Sequence, residues 1–153
     1  MQLEANVIIH RPPDRVWDYL GNVSNISAWD RGVAGTQSTS KDRPGVGFEF
    51  DTLAHPRGDS PDGNWGRMSY RITESDPVHG CKVQLTSSTG NARYFKSAEW
   101  RFRVQAVADG SQVFCVAQFT LHTRYMILAP IFLMMKGAIR NDLENLKRVL
   151  ENE

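Results

Sequence analysis

Cysteine is scarce in this chain: there are two in 153 residues, Cys81 and Cys115, far apart and outside any CxxC spacing. That excludes a disulfide framework and a zinc knuckle, and both thiols read as small core residues. An excess of one charge is lacking as well. Lys and Arg number 18 against 17 Asp and Glu, a formal net charge of +1, and the basic residues are scattered. No electrostatic footprint for nucleic acid results. The chain opens without a basic region followed by an apolar one, and its longest apolar stretch, near Met126, is about half what a bilayer span needs. The expectation is a soluble, cytoplasmic protein with no transmembrane segment and no nucleic-acid partner.

Motifs that announce a reaction are missing too. His10, His55, His79 and His122 are far apart, and none stands in a ligand-like spacing, so no metal and no cofactor is expected. Gly45-Val46-Gly47 lacks the third glycine and the following helix of a dinucleotide fingerprint, and reads as a turn opening a strand. No GxSxG elbow or phosphate loop occurs. Asp30, with Asp14 and Asp18 on the first helix, could supply an acid or base, but short acids near helix starts usually serve as caps and dipole partners.

What is present is a patterned single domain, 1–153, of ordinary globular composition. From near Ala129 to Asn152 the chain reads as one long helix, regular from about Pro130, with Phe132, Met135, Ile139, Leu143, Leu146 and Leu150 on one face. Lys136, Arg140, Glu144, Lys147, Arg148 and Glu151 occupy the solvated side, with Glu144 and Arg148 in the favourable ion-pair orientation. The start of this helix is apolar all round, from Met126 to Met135. It reads as a cavity entrance first, a homodimer contact second, or a surface that touches a membrane.

Before it, Ala5 to His10 alternates as a strand, and Arg11-Pro12-Pro13-Asp14 opens a short helix with Val16, Trp17 and Leu20 inward. A second short helix is expected over Ser24 to Trp29. Six strands then follow at Val33–Ser40, Val46–Leu53, Trp65–Glu74, Cys81–Ser88, Arg93–Val107 and Gln112–Thr123, with Asp109-Gly110 the clearest hairpin signal. The connections are too short for crossover helices, so an antiparallel meander is expected. Alternation puts Val113, Cys115, Ala117, Phe119 and Leu121 on a dry face with Tyr94, Ala98, Trp100, Phe102 and Val104, joined by Phe48, Phe50, Met68, Tyr70, Ile72, Val83 and Leu85.

The opening strand with Arg11-Pro12-Pro13-Asp14-Arg15-Val16-Trp17-Asp18-Tyr19-Leu20, the Trp29-Asp30 segment and the closing Leu143-Glu144-Asn145-Leu146-Lys147 resemble the START-related SRPBCC superfamily, and within it the polyketide cyclase/dehydrase-like group. The resemblance covers nearly the whole chain. It implies an α+β helix-grip fold: a curved antiparallel sheet of about seven strands wrapped around a long C-terminal helix, with two short helices after the first strand. It also implies a cavity for a small hydrophobic ligand such as a lipid, polyketide or aromatic compound.

The dry faces fit such a cavity, and a packed core equally well. The residues expected to line it are Trp29, Phe50, Met68, Tyr70, Leu85, Tyr94, Trp100, Phe119, Phe132, Met135 and Ile139. Tyr70, Tyr94 and Trp100 carry polar tips that could orient a ligand. Lys96 shares the phase of Trp100 but is expected to bend out to solvent. The polar stretch His55 to Asn64 is an ordinary surface loop or a flap. The leading function is a carrier or sensor for the hydrophobic molecule and the second a polyketide cyclase/dehydrase-like enzyme, separated by whether an ionisable pair points inward; a protein-binding member of the same fold, with a filled interior, is the third.

Overall fold

The computed structural model describes residues 1–38, 45–55, 66–89 and 93–153. Strand β1 (Gln2–Ile9) is followed by helix α1 (Pro13–Gly21), a single 3-10 turn, and the short helix α2 (Ile26–Trp29). Then come β2 (Val33–Gln37), β3 (Glu49–Ala54), β4 (Arg67–Asp76), β5 (Gly80–Thr89), β6 (Phe95–Val107) and β7 (Gly110–Leu121). A 3-10 segment (Thr123–Leu128), α3 (Ala129–Leu133) and α4 (Met135–Glu151) close the chain. The expected loop at 55–64 lies, beyond His55, outside the described residues, as do Trp65 and the last residues expected of β2.

Pro12 and Pro13 set the start of α1, because a proline ring fixes φ and its missing amide hydrogen costs nothing in a first turn. The strands pair antiparallel in the order β1-β7-β6-β5-β4-β3-β2, so each sequential neighbour from β2 to β7 is a spatial one and β1 closes onto β7. This is the expected meander in a helix-grip arrangement. At the β6–β7 hairpin Gly110 has φ +153, and a Cβ there would fall 2.2 Å from the Ile9 carbonyl oxygen, so only glycine lets β1 approach this turn.

Helix α4 packs Ile139, Leu143, Leu146 and Leu150 inward, all 5% exposed or less. They meet Leu3, Val7 and Ile9 of β1, Val104 of β6, and Val113, Cys115, Ala117 and Phe119 of β7 in one cluster. Polar bonds fasten its far end. The Lys147 ammonium donates to the Ile8 carbonyl (2.9 Å) and to Glu151 Oε1 (2.6 Å), which also accepts from the His10 amide (2.9 Å). Lys147–Glu151 is therefore the ion pair four residues apart, in place of the expected Glu144–Arg148; Arg148 is drawn instead to Asn145 Oδ1 at 3.0 Å.

Two features differ from expectation for physical reasons. The C-terminal helix is two helices, broken at Met134. Its pieces serve different walls: Phe132 docks on Phe95 and Tyr94 (ring centroids 5.3 and 6.1 Å), while α4 turns its seam to β1. In β6 the pairing with β7 shifts between Phe95 and Ser97, making Lys96 the extra residue of a bulge. The phase flips there. Phe95 faces in against Phe119, Lys96 is exposed, and Tyr94 is left at the strand entrance against Tyr125.

Candidate functional site

The core does not close over the middle of the sheet. A second cluster of Phe48, Phe50, Tyr70 and Ile72 stands apart from the one beneath α4, with Ile26, Leu85 and Trp100 touching both. Between the two lies a cavity of about 830 Å³, in the range of sites that enclose a small organic molecule. Its floor is the inner face of β3, β4, β5 and β6: Phe50, Thr52, Met68, Tyr70, Ile72, Cys81, Val83, Trp100 and Phe102. The helical side supplies Trp17, Leu20, Ile26 and Trp29, and Met135, Ala138, Ile139 and Leu143 of α4 form the remaining wall.

Of the eleven residues expected at a ligand, Trp29, Phe50, Met68, Tyr70, Trp100, Met135 and Ile139 line this cavity. Phe50 and Tyr70 stack at 5.6 Å, and Trp29 meets Phe102 edge-on at 6.0 Å, so the walls are braced by ring contacts. Leu85, Tyr94, Phe119 and Phe132 stand elsewhere. Tyr94 and Phe132 form the aromatic cluster at the start of β6. Leu85 and Phe119 border a separate cleft of about 530 Å³ where β5 and β6 part company, since their pairing spans only Cys81–Gln84 against Glu99–Phe102.

One end of the cavity is polar. Asp30, ending α2, lines it together with Asp142 of α4 and Arg31. The segment is held by buried Asn145, whose amide donates to the Trp29 carbonyl (3.4 Å) while its oxygen accepts from Arg31 (3.4 Å) and Arg148 (3.0 Å). Asp30 Oδ1 accepts from the Gly32 amide (2.8 Å), and Asp142 Oδ1 accepts from the Arg31 amide (3.2 Å). Burial, reinforced by the neighbouring Asp142 charge and only partly opposed by the Gly32 amide, lifts the pKa of Asp30 to about 6. Asp142 is also raised, by burial first, against the stabilising amide and charge of Arg31.

Across the cavity, burial pushes the Tyr70 phenol well up, and a hydrogen bond from the Trp100 indole partly offsets the effect. The Tyr70 hydroxyl also donates to Met68 Sδ at 3.5 Å. Burial raises the Cys81 thiol to about 11 and the Cys115 thiol to about 12, so neither is a nucleophile at neutral pH. Both border the cavity as small side chains, Cys115 also within the main core cluster.

The sequence offers Asp30 as a possible acid or base but favours a capping role for it, and Asp142 is not singled out there at all. A signal for it exists: Ile139, Asp142 and Asn145 follow one another at three-residue intervals, so two polar residues flank the apolar seam of α4 on its inward side. The pKa of Asp30 carries a consequence for stability. A raised pKa means that folding disfavours the carboxylate, so stability falls as pH rises from the ordinary value near 3.8 to about 6 and is level above. Asp30→Asn keeps an oxygen for the Gly32 amide without the charge. At neutral pH it is expected to be more stable than the parent by about 1 to 2 kcal/mol, discounted for partial exposure, and to lose that pH-dependent fall. Urea unfolding of both proteins across this range checks it; coincident curves at neutral pH would contradict it.

The chain matches the family described as "Polyketide cyclase / dehydrase and lipid transport" over residues 1–151. No curated protein matches it. Among solved structures it is similar to TTHA0849 from Thermus thermophilus, with TM-score 0.76 at 14% identity, covering 97% of this chain and 95% of that one. It is likewise similar to the Zhui aromatase/cyclase from Streptomyces sp. R1128, with TM-score 0.76 at 12% identity over 99% of this chain and 93% of that one. With Ara h 8.0201 the TM-score is 0.75 at 11% identity, over 100% and 99%. Identities this low show the shared fold alone.

Proposed function

We propose, since the chain belongs to the polyketide cyclase/dehydrase and lipid transport family, that it binds one small hydrophobic molecule, a lipid, polyketide or aromatic compound, between sheet and α4 and acts as its carrier or sensor. The observation that carries this reading is the cavity of about 830 Å³, walled by aromatic and thioether side chains and polar at one end. Burying the apolar body of the ligand supplies affinity, and Asp30, Tyr70 and Asn141 offer polar partners that fix its direction. Native and denaturing mass spectra of one fresh preparation, followed by thermal unfolding with a panel of lipids and polycyclic aromatics, test the reading. A released hydrophobic compound, or a rise in Tm with one chemical class, is the expected result; an empty spectrum together with an unmoved Tm across the panel would overturn it.

A second reading is favoured by one observation, the Asp30–Asp142 pair at the cavity wall with the pKa of Asp30 near 6. In a cyclase or dehydrase, one carboxylate takes the proton from carbon next to a carbonyl while the partner acid protonates the departing hydroxyl, which leaves as water. Protons then re-equilibrate with solvent at the polar end. Under this reading Asp30→Asn loses about 10² to 10⁴ in turnover of a poly-β-keto thioester probe and keeps binding it. Unchanged turnover would leave the pair a binding element only.

A further inference from the structure

Nine large hydrophobic side chains are exposed among the described residues, and five of them fall between Met126 and Met134. Met126 is 53% exposed, Ile127 85%, Ile131 61%, Leu133 52% and Met134 79%. The sequence pattern suggests a cavity entrance for this stretch, but only its last residue, Met135, lines the cavity. The five exposed side chains are turned outward because the opposite side of the same turn is anchored: Tyr125 packs edge-on against Tyr94 at 4.9 Å and Phe132 against Phe95 at 5.3 Å. An apolar patch this concentrated marks a contact surface.

Its surroundings indicate what covers it. Between Asp109 and Asp142 the chain carries no acidic residue, while Arg124, Lys136 and Arg140 flank the patch. The Tyr94–Tyr125 contact brings the start of β6, with Arg93 and Lys96, to the same end. Arg93 and Arg124 lie over the rings of Tyr94 and Tyr125 at 6.0 and 5.0 Å. All five cations are exposed, and none holds an ion pair among the described residues; elsewhere Arg15, Arg67, Arg71, Lys82, Arg101 and Lys147 are paired with acids, Arg11, Arg31 and Arg148 donate to a backbone carbonyl or to Asn145, and Arg103 lies over the Phe114 ring. A chain of net charge +1 thus places five basic residues that hold no ion pair around the largest exposed apolar cluster among the described residues.

We infer that the Met126–Met134 turn docks on an anionic lipid bilayer, its apolar side chains entering the headgroup boundary and its basic collar meeting lipid phosphates. A second copy of this chain fits less well, because a two-fold contact would set the collar against itself. The surface adjoins the cavity through Met135, yet the inference stands on exposure and charge and not on what the cavity holds.

The test is co-sedimentation of the full chain with vesicles of phosphatidylcholine alone and of equimolar phosphatidylcholine and phosphatidylglycerol. Binding about tenfold or more tighter to the anionic vesicles at low salt, and release at high salt, is expected. Ile127→Asp/Ile131→Asp replaces only exposed side chains, so its circular dichroism should match the parent while vesicle binding falls about tenfold or more. No sedimentation with anionic vesicles at low salt would overturn the inference, as would undiminished binding by the folded variant. A dimer in analytical ultracentrifugation that this variant abolishes would overturn it too, by making the patch a contact between copies.

Discussion

Leu146→Ala is expected to lower the unfolding free energy by about 3 to 5 kcal/mol, the upper range for truncating a fully buried leucine. Leu146 is fully buried at the centre of the inward face of α4, among Leu143, Leu150 and the β1 and β7 side chains. Three carbons are lost from a site that is packed on every side, and rigid strands across the core cannot collapse into the gap. Arg140→Ala, exposed on the same helix, should shift stability by no more than about 0.5 kcal/mol. Urea unfolding of the two variants reads the contrast directly. A loss below about 1 kcal/mol at Leu146 would mean that the sheet does not grip α4 through this face.

Enlarging two cavity residues should have the opposite balance of effects. Thr52 and Val83 sit on the floor of the cavity, on β3 and β5. Thr52→Phe/Val83→Phe projects two rings into space that is empty of protein, where they gain dispersion contacts without displacing packed neighbours. Stability is therefore expected to hold, with affinity for any cavity ligand falling about a hundredfold or more because the ligand's volume is taken. Thermal unfolding and a binding titration on the same sample separate the two effects. Unfolding of this variant would instead indicate that the region has no room to give, since overpacking a filled core costs stability.

The two expectations rest on parts of the molecule that are unequally legible in the sequence. The face Ile139, Leu143, Leu146, Leu150 is readable because a helix against a sheet must bury one stripe, and nothing else in the sequence competes with that period. The meander is readable for a similar reason: connections of this length leave only antiparallel neighbours. Extrapolated on period alone, the pattern runs too far. The bulge at Lys96 turns Tyr94 away from the cavity wall and brings Phe95 inward, a one-residue slip that alternation cannot announce. Apolarity continues through Met134, yet the helix does not, because the demands of Phe132 and Ile139 point to different partners.

The polar end of the cavity is harder still. Asp30, Asp142 and Asn145 converge from α2 and α4 across more than a hundred residues, and no local pattern encodes a pairing of that kind. Whether dry faces close into a solid core or stop short of one another is not legible either. Large aromatic side chains serve both outcomes, and the difference is set by how strongly the sheet curves around α4.

The most direct test of the central claim, a hollow interior that takes one apolar molecule, uses the protein's own tryptophans. Three of its four, Trp17, Trp29 and Trp100, line the cavity. Titration with 1-anilinonaphthalene-8-sulfonate, exciting tryptophan and reading energy transfer to the bound dye, is expected to saturate at one dye per chain, and to fail to do so in Thr52→Phe/Val83→Phe. Absence of transfer in the parent, or saturation unaltered by those two substitutions, would contradict the account.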